Sequence, residues 1–147
     1  MPNTIRLHRV LRAPAERVYR AFTSPEALVK WLPPNGFTGI MHQFDARVGG
    51  TYRMSFRNMA SGESHSFSAT YLELVPHQRI VHTDRFDDPN LPGDMMVEVT
   101  LDQVPSGTEL SVVQHNIPDP IPPDACLIGW HQSLILLALL VETEPGG

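Results

Sequence analysis

Cysteine is nearly absent: Cys126 is the only one in 147 residues. No intrachain disulfide and no cysteine-based metal cluster can form. Charge is sparse, at 18% of residues, and acidic in balance, with 11 Lys+Arg against 16 Asp+Glu and a net charge of -5. A pI of about 5.7 argues against a nucleic-acid binder, which needs a basic face to replace phosphate counterions. Long apolar runs are missing. The longest, Leu134 to Val141, falls far short of the roughly 20 residues of a membrane helix, so no membrane span is expected. The first residues, Met1-Pro2-Asn3-Thr4-Ile5-Arg6-Leu7-His8-Arg9, carry no apolar core of the secretory kind. A cytoplasmic protein with a reduced thiol is the expectation. Catalytic and cofactor signatures are lacking as well. The 7 histidines (His8, His42, His65, His77, His82, His115 and His131) form no His-Glu-x-x-His or Cys-His cluster. No glycine-rich phosphate loop or Gly-x-Ser-x-Gly elbow occurs, and neither a metal nor another cofactor is expected.

What is present is a folded composition. Hydrophobic residues make up 41% and the mean hydropathy is -0.15, which fits one globular domain over residues 1–147. The 14 prolines imply many turns and interrupted edges. Ile5 to Leu11 reads as a strand. Ala13-Pro14-Ala15-Glu16 opens a helix whose stripe is Val18, Tyr19, Ala21 and Phe22. Ser24, an N-cap followed by Pro25, starts a second short helix carrying Ala27, Leu28, Trp31 and Leu32. Pro33-Pro34-Asn35-Gly36 ends it.

From Phe37 to Asn116 the period changes to two. About six strands follow one another, broken at Asp45–Gly50, Met59–Glu63, Pro76–Gln78, Asp87–Gly93 and Pro105–Gly107. Short turns between successive strands predict an antiparallel meander. Pro118, Pro120, Pro122 and Pro123 form a stiff connector, and Asp124 reads as the N-cap of a last helix through Glu142. Leu127, Trp130, Leu134, Leu137, Ala138 and Val141 lie at helical spacing, and Ile128, Ile135 and Leu136 widen the apolar surface. A helix so apolar is expected to be largely enclosed. The fold class is therefore α+β, a curved antiparallel sheet gripping one long C-terminal helix. A helix covering part of a concave sheet leaves a hollow, and that hollow is the functional inference.

Ala15-Glu16-Arg17-Val18-Tyr19-Arg20-Ala21-Phe22-Thr23-Ser24-Pro25-Glu26 with Lys30-Trp31-Leu32 resembles the opening of START-like, helix-grip (Bet v 1-like) domains. Phe44-Asp45-Ala46-Arg47-Val48-Gly49-Gly50-Thr51-Tyr52 resembles the Asp-x-Arg-x-Gly-Gly turn of one branch. The hairpin from Tyr71 to Thr83, then Val97–Leu101, Gly107-Thr108-Glu109-Leu110 and Gly129-Trp130 with Leu134, keep that branch's order. The branch is the activator-of-Hsp90-ATPase homologue family of the START-like, polyketide cyclase superfamily (SRPBCC). The resemblance implies a deep apolar pocket between sheet and C-terminal helix and a lipid-like or aromatic ligand. It also implies stimulation of an Hsp90-type chaperone or a stress-response role, as in eukaryotic members. Relatives carry aromatic or apolar residues where His82 and Asp84 stand here.

Residues i and i+2 of a strand share a face, so if Ile80 points inward, His82, Asp84 and Phe86 do too. His82 and Asp84 are then either a polar anchor or acid–base pair of the pocket, or a structural pair on a face that meets solvent. Gln114 shares the face of Leu110 and Val112. It either bonds a ligand carbonyl or, as buried glutamines more often do, the backbone. Tyr52, Met54, Phe56, Phe67, Tyr71, Met95, Val97 and Val99 are pocket-lining candidates as a set, while each taken singly reads first as ordinary core. Trp130 reads as a core anchor whose N–H needs a partner, with ligand contact as the alternative. Cys126 reads as an inert thiol. The first functional reading is a binder of a hydrophobic or aromatic small molecule. A cyclase- or hydrolase-type enzyme using His82 and Asp84 is one alternative, and a chaperone co-factor is the other. A homodimer through a sheet edge or helix face is open.

Overall fold

The computed structural model describes residues 3–143; Met1 and Pro2, which begin the segment read as lacking a secretory core, lie outside the described residues. The elements run β1 (Asn3–Leu11), α1 (Ala15–Phe22), α2 (Pro25–Trp31), β2 (Phe37–Phe44), β3 (Thr51–Asn58), β4 (Ser64–Val75), β5 (Arg79–Phe86), β6 (Met95–Val104), β7 (Gly107–Ile117) and α3 (Pro123–Glu142). The strands form one antiparallel sheet in the order β1-β7-β6-β5-β4-β3-β2. The period-two segment from Phe37 onward zigzags as a meander, and β1 closes it on the far side of β7. The result is a helix-grip fold, as the alternation and the single long helix predict.

Local chemistry explains the elements. The Ser24 hydroxyl accepts a hydrogen bond from the Ala27 amide at 3.3 Å, and Pro25 occupies the first turn, where its missing N–H leaves nothing unpaired. Trp31, fully buried, donates its indole N–H to the Ala21 carbonyl at 2.9 Å and packs edge-on against Phe22, which locks α2 to α1. The turn before β3 needs glycine. Gly49 has a φ of 82°, and a Cβ on Gly50 would stand 2.3 Å from the Asp45 carbonyl oxygen. With both in place, the Gly49 amide bonds the Tyr71 carbonyl and the Tyr71 amide bonds the Gly50 carbonyl, so the turn folds back on β4.

The two faces of the sheet differ as a half-covered antiparallel sheet requires. The covered face carries Tyr52, Met54, Phe67, Tyr71, Ile80, Val97, Val99, Leu110 and Val112, all buried. The outer face carries charge. Arg79 bonds Glu73 at 3.2 Å and Glu98 at 2.9 Å, and Glu98 also bonds His115 at 2.7 Å.

The last helix departs from two expectations. It starts at Pro123, one residue before Asp124, and its N-cap is Pro122, with no capping side chain. A residue before proline is driven to the extended region, and proline itself has a helical φ, so the Pro122-Pro123 pair sets the start without a cap. Asp124 falls in the first turn, where its charge meets the positive end of the helix dipole. Nor is the helix enclosed. Leu134, Leu137, Ala138 and Val141 are buried, but Ile128, Ile135 and Leu139 are 57%, 51% and 58% exposed. A sheet covers one side of a helix. Here α3 lies closest to β1, α2 and α1, and its opposite flank has no layer above it among the described residues. By length and composition alone α3 would suffice to cross a membrane; in this fold its buried flank packs on the sheet.

Candidate functional site

α3 leans toward the β1 end of the sheet, so its N-terminal half does not fill the space over the central strands. A cleft of about 300 Å³ remains there. Phe56, Phe67, Phe86 and Met95 form its sheet wall. Cys126, Gly129, Trp130 and Ser133 come from α3, at the i, i+3, i+4, i+7 spacing of one helical face. Leu32 and Pro34 after α2, with Ile121 of the proline connector, close the sides. A smaller hollow of about 30 Å³ lies beneath, bounded by Tyr52, Tyr71, Ile80 and His82, and it shares Leu32, Asp84 and Trp130 with the cleft.

The polar groups of the cleft are few. β5 is the central strand. It sets His82 opposite Tyr71 and Val97, and Asp84 opposite Ala69 and Met95. Both side chains therefore face the interior, only 10% and 14% exposed, and His82 Nδ1 lies 2.6 Å from Asp84 Oδ1. The ring of His82 is flanked by Tyr52 at 6.2 Å and Tyr71 at 6.1 Å. Burial, and then the negative charge of Asp84, push both tyrosine hydroxyls above their ordinary value, so each stays protonated. Tyr71 donates its hydroxyl to the Phe22 carbonyl at 3.3 Å.

Gln114 joins sheet to helix through side chains, where bonding to backbone was the commoner expectation. Its Oε1 accepts from Trp130 Nε1 at 2.7 Å and from Cys126 Sγ at 3.2 Å, while Nε2 donates to Met95 Sδ at 3.1 Å. Trp130 thus has the partner its N–H requires. Burial pushes the Cys126 thiol up to about 11, which leaves it protonated and a poor nucleophile. Ser133 is committed as a donor to the Leu32 carbonyl at 2.6 Å. Among the described residues no three His, Cys, Asp or Glu side chains gather into a metal-binding group.

Of the residues singled out from sequence, Phe56, Phe67, Asp84, Met95, Gln114 and Trp130 meet around the cleft, and Tyr52, Tyr71 and His82 around the small hollow. Met54, Val97 and Val99 line neither; they are fully buried core. Leu32, Pro34, Phe86, Ile121, Ala125, Cys126, Gly129 and Ser133 were not singled out as lining; the alternation from Ile80 is the signal for Phe86, and helical spacing with Trp130 is the signal for Cys126 and Ser133.

A grip of this kind with a cleft beneath the helix defines a START-like domain. The chain belongs to the activator of Hsp90 ATPase homolog 1-like family, whose model matches residues 12–142. No curated protein matches the sequence. Among solved structures, a Chromobacterium violaceum protein is 60% identical, with a TM-score of 0.95 over 97% of this chain and 99% of that one. A Rhizobium leguminosarum protein is 26% identical, with a TM-score of 0.79 over 98% and 97%. A Rhodobacter sphaeroides protein at 22% identity, with a TM-score of 0.82 over 95% and 92%, shares the fold.

Proposed function

We propose that this protein binds a hydrophobic or aromatic small molecule in the cleft between the sheet and α3, as a cytoplasmic carrier or sensor. The supporting observation is the cleft itself: its size and largely apolar wall suit a ring system or a short acyl chain. Gly129 provides the test. A Cβ there meets nothing within 4 Å, so Gly129→Leu starts its side chain in open space on the cleft side of α3 and raises helix propensity. The neutral fluorophore N-phenyl-1-naphthylamine is expected to bind wild type saturably and Gly129→Leu at least tenfold more weakly, while the variant melts no lower. At 100 times its Kd a ligand adds about 2.7 kcal/mol, or roughly 5–10 °C of Tm for a chain of this size. Absence of saturable binding by any apolar probe would end this reading.

A second reading, a cyclase- or hydrolase-type enzyme, draws on the close His82–Asp84 contact at the cleft wall. It requires turnover that His82→Gln abolishes while probe binding persists. Family membership alone supports a chaperone partner, and that reading requires capture of an Hsp90-type chaperone by the purified protein.

A further inference from the structure

The cleft has a chemical polarity that bears on what it accepts. Its wall holds one acidic side chain, Asp84, and no lysine, arginine or histidine. Asp84 has one hydrogen bond, in which Oδ1 accepts from His82 Nδ1. Its second oxygen, Oδ2, accepts none among the described residues, although the side chain is only 14% exposed. Two other acceptors on the wall are engaged. Gln114 Oε1 already takes two donors, and the Leu32 carbonyl takes the Ser133 hydroxyl. A carboxylate with an open acceptor beside an apolar wall favours a hydrogen-bond donor, above all a cation, and repels an anion, because such a wall screens charge less than bulk water does. His82 behind Oδ1 fixes the orientation of the carboxylate, so Oδ2 is presented in a set direction.

We propose that the cleft selects amphiphiles whose apolar body fills the aromatic wall and whose polar end is an amine or a hydroxyl docked on Asp84, and that it rejects carboxylates of the same shape. This rests on the binding reading above. The two are separated by a matched series: 2-methylnaphthalene, 2-naphthylmethylamine, 2-naphthalenemethanol and 2-naphthoate, titrated into the wild-type protein by calorimetry near neutral pH. The amine is expected to bind at least tenfold tighter than the methyl compound, the alcohol in between, and the carboxylate at least tenfold weaker. Asp84→Asn retains an oxygen for His82 and turns an amide N–H toward the cleft, so the order of amine and carboxylate should reverse while the methyl compound changes less than about threefold. Equal affinity across the series, or tighter binding of the carboxylate to wild type, overturns the selectivity and leaves the binding reading standing. Failure of all four, the methyl compound included, overturns the binding reading itself. The wild-type series decides the matter even if Asp84→Asn does not fold.

Discussion

Among the described residues, Gln114 is the one side chain through which β7 holds the N-terminal half of α3 by a polar link, and replacing it with leucine tests that link. Leucine keeps the bulk, so the effect comes from the lost acceptor. The Trp130 Nε1–Gln114 Oε1 bond at 2.7 Å disappears, together with the weaker thiol contact from Cys126 at 3.2 Å. A neutral hydrogen bond is worth about 0.5–1.5 kcal/mol net, and a donor stranded out of water costs about 1–3 kcal/mol. Trp130 is half-buried, so water re-solvates its N–H in part. Gln114→Leu is therefore expected to lower stability by ~2 kcal/mol, roughly 4–8 °C of Tm. Urea unfolding followed by circular dichroism, on Gln114→Leu, Trp130→Phe and the double variant, isolates the bond. Once Trp130 is phenylalanine there is no indole donor to strand, and the cost of Gln114→Leu should fall by ~1 kcal/mol. If Gln114→Leu costs the same in both backgrounds, to within about 0.3 kcal/mol, the link contributes nothing and β7 holds α3 by apolar packing alone.

Two further predictions concern other parts of the molecule. On α3, Leu134→Ala should cost ~3 kcal/mol, because that side chain is fully buried against the sheet. Leu139→Lys should stay within about 0.5 kcal/mol, and equal losses in chemical denaturation would mean that the exposed flank has been misassigned. On the outer face, His115 and then Arg79 hold the Glu98 carboxyl below its ordinary 4.5. A depressed folded value means that its contribution is present above pH 4.5 and is lost as the pH falls through that folded value. The stability gap between wild type and Glu98→Gln, about 1 kcal/mol for partly exposed pairs, should thus be full at pH 7 and close in acid. A gap that widens in acid would contradict the assignment.

The fold was legible because two periods alternate cleanly along the chain. Tyr52, Met54 and Phe56, or Met95, Val97 and Val99, mark a half-buried strand whatever surrounds them. The sheet wall of the cleft was legible for the same reason, since residues two apart share a face, and His82 and Asp84 followed Ile80 inward. What period cannot convey is where the helix lies on the sheet. Val97 and Val99 face the same way as Met95, yet only Met95 reaches the cleft. α3 posed the opposite difficulty. It is apolar on every side, so its sequence carries no contrast between buried Leu137 and exposed Ile135, and only the packing against β1 and the two short helices distinguishes them. Gly129 is similarly silent in sequence, since a missing side chain matters only where it leaves space.

The position of β1 in the sheet has a consequence for biosynthesis. Its partner, β7, is more than a hundred positions away, as the pairing of Leu7 with Val112 shows. At about 5–20 residues per second of translation, the first strand leaves the ribosome several seconds before the strand it must join exists. Until then the growing chain carries an unpaired strand with Ile5, Leu7 and Leu11 uncovered, and the meander is unfinished. Nascent copies crowded on one messenger would therefore be exposed to mispairing during that interval, and holding the early segment apart would fall to whatever receives it as it emerges.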